Sequence, residues 1–163
     1  VQRLEKHSDD LAVMMLPPAH LHLDALPFMA NPLVVIGAKN HPRGGKRSTL
    51  AQLQKERWLM RENGSGTRTV AVQHFMAQDF EPRIAMSLGS NEALKHAVAS
   101  GLGIGVISRL AFNGSATHAG LVELKVNGFP LQRQWQVAWR KDYPLSAAAR
   151  TFVQYLQSRP SLS

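Results

Sequence analysis

The segment Glu62-Asn-Gly-Ser-Gly-Thr-Arg68 carries the residue types most able to do chemistry in this chain. Gly64 and Gly66 let the backbone approach a ligand closely, and a helix opening just beyond them presents unpaired N–H groups to an anion. Ser65 and Thr67 add hydroxyls, while Arg61 and Arg68 bring charge and planar donors. The Gly-Lys-Ser/Thr ending of a P-loop is missing, so nucleotide hydrolysis is not implied. A plain glycine turn with a Ser or Thr N-cap would use the same residues, and at this level both readings stay open.

Other candidates are weaker. Gly101-Leu-Gly-Ile-Gly105 precedes a strand instead of opening a helix, so it fails the context of a dinucleotide fingerprint and reads as a tight connection. His20 and His22 fall on one face of an extended segment without a third ligand nearby, which favours surface histidines over a metal site. There is no Gly-x-Ser-x-Gly elbow, and the 11 acids are scattered rather than paired. With no Cys there is no thiol nucleophile and no disulfide frame. No catalytic residues, no metal and no cofactor are expected, and the chain is not read as an enzyme.

These residues need a scaffold, and strands alternate with helices through most of the chain. Strands are expected at Asp10–Met15, Leu33–Gly37, Trp58–Arg61, Arg83–Leu88, Ile104–Ile107, Leu121–Val126 and Gln134–Arg140. Helices are expected from Ser48 to Lys55, from Thr67 to Gln78, from Ser90 to Ser100 with Gly101 as a left-handed stop, and after Ser146. The stripe of the third helix is Ala93, Leu94, Ala97 and Val98. Beta-alpha alternation argues a mostly parallel α/β fold with helices on both sheet faces.

The 163 residues fit one domain or two small lobes, and 44% hydrophobic content is enough for a real core. Net charge is +8, which suggests nucleic acid, an acidic surface or small anions as partners. Eight basic residues (Lys39, Arg43, Lys46, Arg47, Lys55, Arg57, Arg61, Arg68) stand against Glu56 and Glu62 between Lys39 and Arg68. Trp58 is the one aromatic there, so a base-stacking platform is poorly supported and the excess reads mainly as solvated surface. No apolar run is long enough to span a membrane, and no secretory leader stands at Val1.

Five segments in order, Asp10-Leu-Ala-Val-Met14, Asn31-Pro-Leu-Val-Val-Ile36 with His41-Pro42, Arg61 to Arg68, Leu88 to Val98, and Gly101 to Ser108, resemble the effector-binding domain of LysR-type transcriptional regulators. The match covers nearly the whole chain. Asp9-Asp10-Leu-Ala-Val-Met14 with Pro17-Pro18, and Leu26 to Val35, look most like the subgroup controlling Calvin-cycle (RuBisCO) operons.

The resemblance implies an α/β fold of two Rossmann-like lobes of periplasmic-binding-protein type, joined by two crossover strands. Residues 1–32 would be a partial lobe I, 33–134 a complete lobe II, and 135–163 the return strand and C-terminal helix of lobe I. The opening strand-turn-helix of lobe I, the winged helix-turn-helix and the linker helix are not in the sequence, so the first lobe would be incomplete. A small effector would bind between the lobes. The loop Asn63, Gly64, Ser65, Gly66 and Thr67 would face it, as would the helix start at Asn91 and Glu92, with Met14 and Met15 opposite and Arg61 or Arg68 meeting its charge. The implied effector is a small anion, such as a phosphorylated metabolite or a nucleotide.

The implied parent protein is a cytoplasmic homodimer or tetramer that touches DNA only through its N-terminal helix-turn-helix. Effector binding would shift populations between lobe arrangements. Two rivals remain: a periplasmic-type solute-binding protein, and direct nucleic-acid binding by Lys39 to Arg47, for which no recognition helix is visible.

Overall fold

The computed structural model describes residues 2–113 and 120–158. The chain divides into two compact units, Val1–Asn31 with Arg133–Ser163, and Pro32–Gln132.

The second unit is built on a six-stranded sheet of order β4-β8-β3-β7-β5-β6. Its strands are β3 (Leu33–Ala38), β4 (Arg47–Ser48), β5 (Arg57–Arg61), β6 (Arg83–Leu88), β7 (Ile104–Ser108) and β8 (Leu121–Val126). Every residue of β3 and β7 is buried, as their unbroken apolar runs require of central strands. Helix α2 (Gly66–Ala77) and helix α3 (Asn91–Ala99) cover the two sheet faces. Successive strand residues point to opposite sides, and β5 shows the division. Trp58 meets Phe75 of α2 edge-on at a ring separation of 4.9 Å, with Phe80 behind. Leu59 joins Val34, Ile36, Leu94, Val98 and Ile107 in the core under α3.

Tight glycines fix this packing. Gly101 sits at φ +76°, the left-handed stop expected after α3. Gly103 lies so close to β5 that a Cβ there would stand 2.2 Å from the Arg57 carbonyl oxygen. The Gly101 to Gly105 run is therefore a tight helix-to-strand connection. A short helix, α4 (Arg109–Asn113), follows β7 and was not foreseen.

The sheet is mixed, not mostly parallel. β5 runs parallel to β6 and β7, and β4 to β8, but β3 is antiparallel to both β7 and β8. A strand buried on both faces has the same apolar look whichever way its neighbours run, so pattern alone does not give direction. The helix expected from Ser48 to Lys55 is a single 3₁₀ turn, Ala51–Leu53, which buries Leu53 while Leu50 packs just before it. Thr49 stands at its start instead of Ser48: the Gln52 N–H donates to its hydroxyl, and its own N–H donates to the Gln52 side chain.

The first unit has a three-stranded antiparallel sheet of order β1-β9-β2, from β1 (Ala12–Met14), β2 (Leu23–Ala30) and β9 (Gln134–Arg140). Strand β9, far away in sequence, sits in the middle. β2 lies outside the strands expected from the sequence, and it carries Pro27, a residue that disfavours a strand interior. Pro27 is tolerated since β2 is an edge strand, and its register shifts between Pro27 and Met29. A short α1 (Gln2–Glu5) buries Leu4. Helix α5 (Ala147–Gln157) starts at Ser146, whose hydroxyl accepts from the Ala149 N–H, and buries Ala149 and Val153.

Candidate functional site

The loop between β5 and α2 is shaped by its backbone. Past the end of β5 the Glu62 N–H still donates to the Leu88 carbonyl on β6, at 3.0 Å. Gly64 then turns at φ +89°, a conformation that a side chain would strain. The Ser65 N–H donates back to the Glu62 carbonyl and closes the turn. Ser65 is the N-cap of α2 in extended conformation, yet its hydroxyl makes no capping bond. Its carbonyl accepts the first helical bond, from the Thr69 N–H at 3.0 Å, and a second from the Thr69 hydroxyl. The N–H groups of Gly66, Thr67 and Arg68 therefore open the helix with no carbonyl of α2 in reach.

The arginines are largely committed to the protein. Arg61 donates through Nε and Nη2 to both carboxylate oxygens of Glu62, each at 2.8 Å, and through Nη1 to Oδ1 of Asn91 at 2.6 Å. That side chain is only 17% exposed. The fork from Arg61, helped by the Glu62 backbone N–H, holds the Glu62 carboxyl below its ordinary value. Arg68 uses Nη1 on the Arg61 carbonyl and on the Ser87 hydroxyl, at 2.9 and 2.8 Å. The charge expected from Arg61 is thus balanced by its own neighbour, and Arg68, which makes no ion pair among the described residues, brings positive charge to this corner.

Asn91 is the first residue of α3, whose N-cap Ser90 accepts from the Ala93 N–H at 3.1 Å. The Arg61–Asn91 bond brings this second helix start against the loop. Next along, Glu92 accepts from Lys95 Nζ at 2.6 Å, and Lys95 is 1% exposed although its partner is 62% exposed. Nζ also donates to the Ala111 carbonyl on α4 at 3.2 Å. Sequence reasoning missed Lys95, because the stripe Ala93, Leu94, Ala97 and Val98 left it outside the core. In the fold Ala93 is exposed and Lys95 is buried. The i,i+3 spacing of Glu92 and Lys95 was the available signal.

Nine of the eleven expected site residues, Arg61, Asn63 to Arg68, Asn91 and Glu92, thus occupy the loop and the two helix starts of the second unit. Asn63 and Gly64 are exposed, Ser65 and Gly66 half-buried. Thr67 is buried, at 8% exposure. Met14 and Met15 belong to the other unit. Met14 is half-buried on β1 opposite Gln136, while Met15 is buried with the Asn31 side-chain amide donating to its sulfur at 2.7 Å.

Of the histidine pair, His20 stands 3.3 Å from Glu5, an exposed pairing. Among the described residues no group of three His, Asp or Glu side chains is placed to hold a metal ion. None of the described helices is long and apolar enough to cross a membrane. The basic segment is mostly surface: Lys39, Lys46, Arg47, Lys55 and Arg57 are exposed.

A family described as the LysR substrate binding domain matches residues 1–161. A RuBisCO operon transcriptional regulator of Allochromatium vinosum is 42% identical over 159 residues, 97% of this chain and 53% of that protein. The HTH-type transcriptional activator CmpR of a Synechocystis strain is 38% identical over 157 residues, 96% of this chain and 52% of that protein. The chain therefore spans about half the length of these curated relatives. Among solved structures, the regulatory domain of Synechocystis CcmR in complex with 2-PG is 37% identical with a TM-score of 0.89, covering 96% of this chain and 76% of that one. The effector-binding domain of QuiR in complex with shikimate is 22% identical with a TM-score of 0.84, covering 95% and 73%, and supports the fold.

Proposed function

The chain belongs to the LysR substrate-binding domain family, and from that premise we propose that it is the ligand-sensing part of a transcription factor, taking a small anionic metabolite at the Asn63 to Arg68 loop. The observation that carries this reading is the start of α2. Three N–H groups open a twelve-residue helix without a side-chain cap, at a glycine turn, with Arg68 alongside. Such a helix start suits a phosphate or carboxylate and offers no acid–base or nucleophilic pair for chemistry. The 2-PG bound by the CcmR regulatory domain supports a phosphorylated compound as the effector class. Asn63 and Ser65 would add polar contacts, and Asn91, held by Arg61, would present the second helix start.

No cofactor is needed on this reading. The parent protein would act in the cytoplasm as a homodimer or tetramer, binding DNA through a separate N-terminal helix-turn-helix. Effector binding would favour one of two arrangements and so change the geometry presented to DNA, an effect limited to the effector's differential affinity for them. Calorimetric titration of the full-length protein with 2-PG tests it. Saturable 1:1 binding that weakens with rising salt is expected, and no binding of 2-PG or of other phosphorylated metabolites would overturn it.

A further inference from the structure

We infer that Lys95 is a buried positioning residue for effector charge: by neutralising Glu92 it keeps the start of α3 acceptable to an anion. This rests on the effector reading of the loop above. Two carboxylates, Glu62 and Glu92, stand at a corner proposed to receive a negative ligand. Each has a cation built against it, Arg61 by a two-pronged fork and Lys95 at 2.6 Å. With both pairs intact the corner keeps the positive charge of Arg68 and the partial charges of two helix starts. Without Lys95 a full negative charge would stand one residue beyond Asn91, which Arg61 ties to the loop.

Lys95 is an unusual means to that end. A lysine is almost never fully buried unless paired, and Lys95, 1% exposed, has its ammonium spanning Glu92 and the Ala111 carbonyl. Burial removes water from one side of the ammonium, so it cannot swing away and Glu92 has a fixed partner. An exposed pair at i,i+3 would be loose and screened by salt. Glu92, being exposed, is the member whose charge an approaching anion would feel if Lys95 were lost.

The test compares Lys95→Met, Glu92→Gln and the double variant in the full-length protein, titrated with 2-PG by calorimetry, with a thermal melt to confirm folding. Lys95→Met is expected to bind about five- to tenfold more weakly, the effect of one uncompensated charge at the start of α3 in a medium of intermediate dielectric. The double variant is expected to recover wild-type affinity within about twofold, since it removes both charges together. A purely structural Lys95, acting through the Ala111 carbonyl, would not be rescued by a change at Glu92. Equal affinity of Lys95→Met and wild type, or a double variant as weak as the single one, overturns the inference. Should Lys95→Met fail to fold, Glu92→Gln decides: tighter anion binding supports the inference and unchanged binding overturns it. Wild-type protein that binds no 2-PG would instead remove the effector reading itself, and this inference with it.

Discussion

Arg61 donates from Nη1 to the Asn91 side-chain oxygen at 2.6 Å, and this one bond ties the end of β5 to the first residue of α3. The remaining prongs of the same guanidinium hold Glu62, so a single half-buried side chain sets the loop, the charge beside it and the neighbouring helix start. Arg61→Ala would strand the Glu62 carboxylate and leave Asn91 without its donor. The expected cost is about 1–3 kcal/mol, the range for hydrogen bonds involving a charged group. Urea unfolding checks it, an unchanged midpoint counting against the role. Arg61→Lys should recover little, because one ammonium cannot serve a fork and a third acceptor at once.

A pH effect follows from a different pair. Arg140 at the end of β9 forks onto Asp142, and chiefly that hydrogen bond lowers the Asp142 carboxyl from 3.8 to about 2. A folded-state value below the unfolded one contributes stability above the unfolded value, and that contribution is lost as pH falls through the folded one. The window is therefore between about pH 4 and pH 2. Carbon-detected NMR of the Asp142 carboxyl should titrate near the lower end, and Arg140→Ala should return it to the ordinary aspartate range. Because the Asp142 side chain is half exposed, salt should narrow the shift. A midpoint indifferent to Arg140 would refute the assignment.

How much of this was legible in the residues differs by element. The ranges Arg83–Leu88, Leu121–Val126 and Gln134–Arg140 were readable to the residue, the first two from Pro or Gly at their flanks and the third from the alternation of Trp135, Val137 and Trp139. Strand β2 was not legible: it carries Pro27, and its place at the sheet edge is a tertiary fact. The antiparallel course of β3 was hidden for a similar reason: burial speaks to depth, not direction. At the candidate site the glycine turn and helix start were legible from residue types. What was not legible is how the charges are spent. Arg61 is consumed by the adjacent Glu62, and Lys95 lies in the core where an amphipathic pattern puts only apolar residues.

Gly103 permits a sharper test of the packing between α3 and β7. A Cβ at this position would meet the Arg57 carbonyl oxygen at 2.2 Å and the Arg57 carbonyl carbon at 3.1 Å. These are backbone atoms of β5 and cannot rotate aside. Gly103→Ala must push β5 and the start of β7 apart, at a cost of about 1–3 kcal/mol or more. Gly64→Ala offers a contrast: nothing lies within 4 Å of its Cβ, so only the left-handed strain of φ +89° applies, about 1–2 kcal/mol. Thermal melts of the two variants should rank Gly103→Ala as the less stable, and the reverse order would show that β5 yields more easily than its neighbours suggest.

The anion reading of the loop can be separated from its folding with one substitution, Gly66→Pro. Gly66 is the first residue of α2, and its N–H has no carbonyl of the helix to bond. Proline is well tolerated at a first helical position, since its ring angle suits the helix and the donor it lacks was unused there. It also asks the preceding residue to be extended, and Ser65 already sits at φ −68° and ψ 127°. The variant should therefore melt within a few degrees of wild type while losing one of three N–H groups aimed at the proposed ligand. A lost hydrogen bond to a charged group predicts roughly 10-fold weaker binding of 2-PG, with Thr67 and Arg68 still donating. Undiminished affinity in a folded Gly66→Pro protein would place the anion elsewhere than the start of α2.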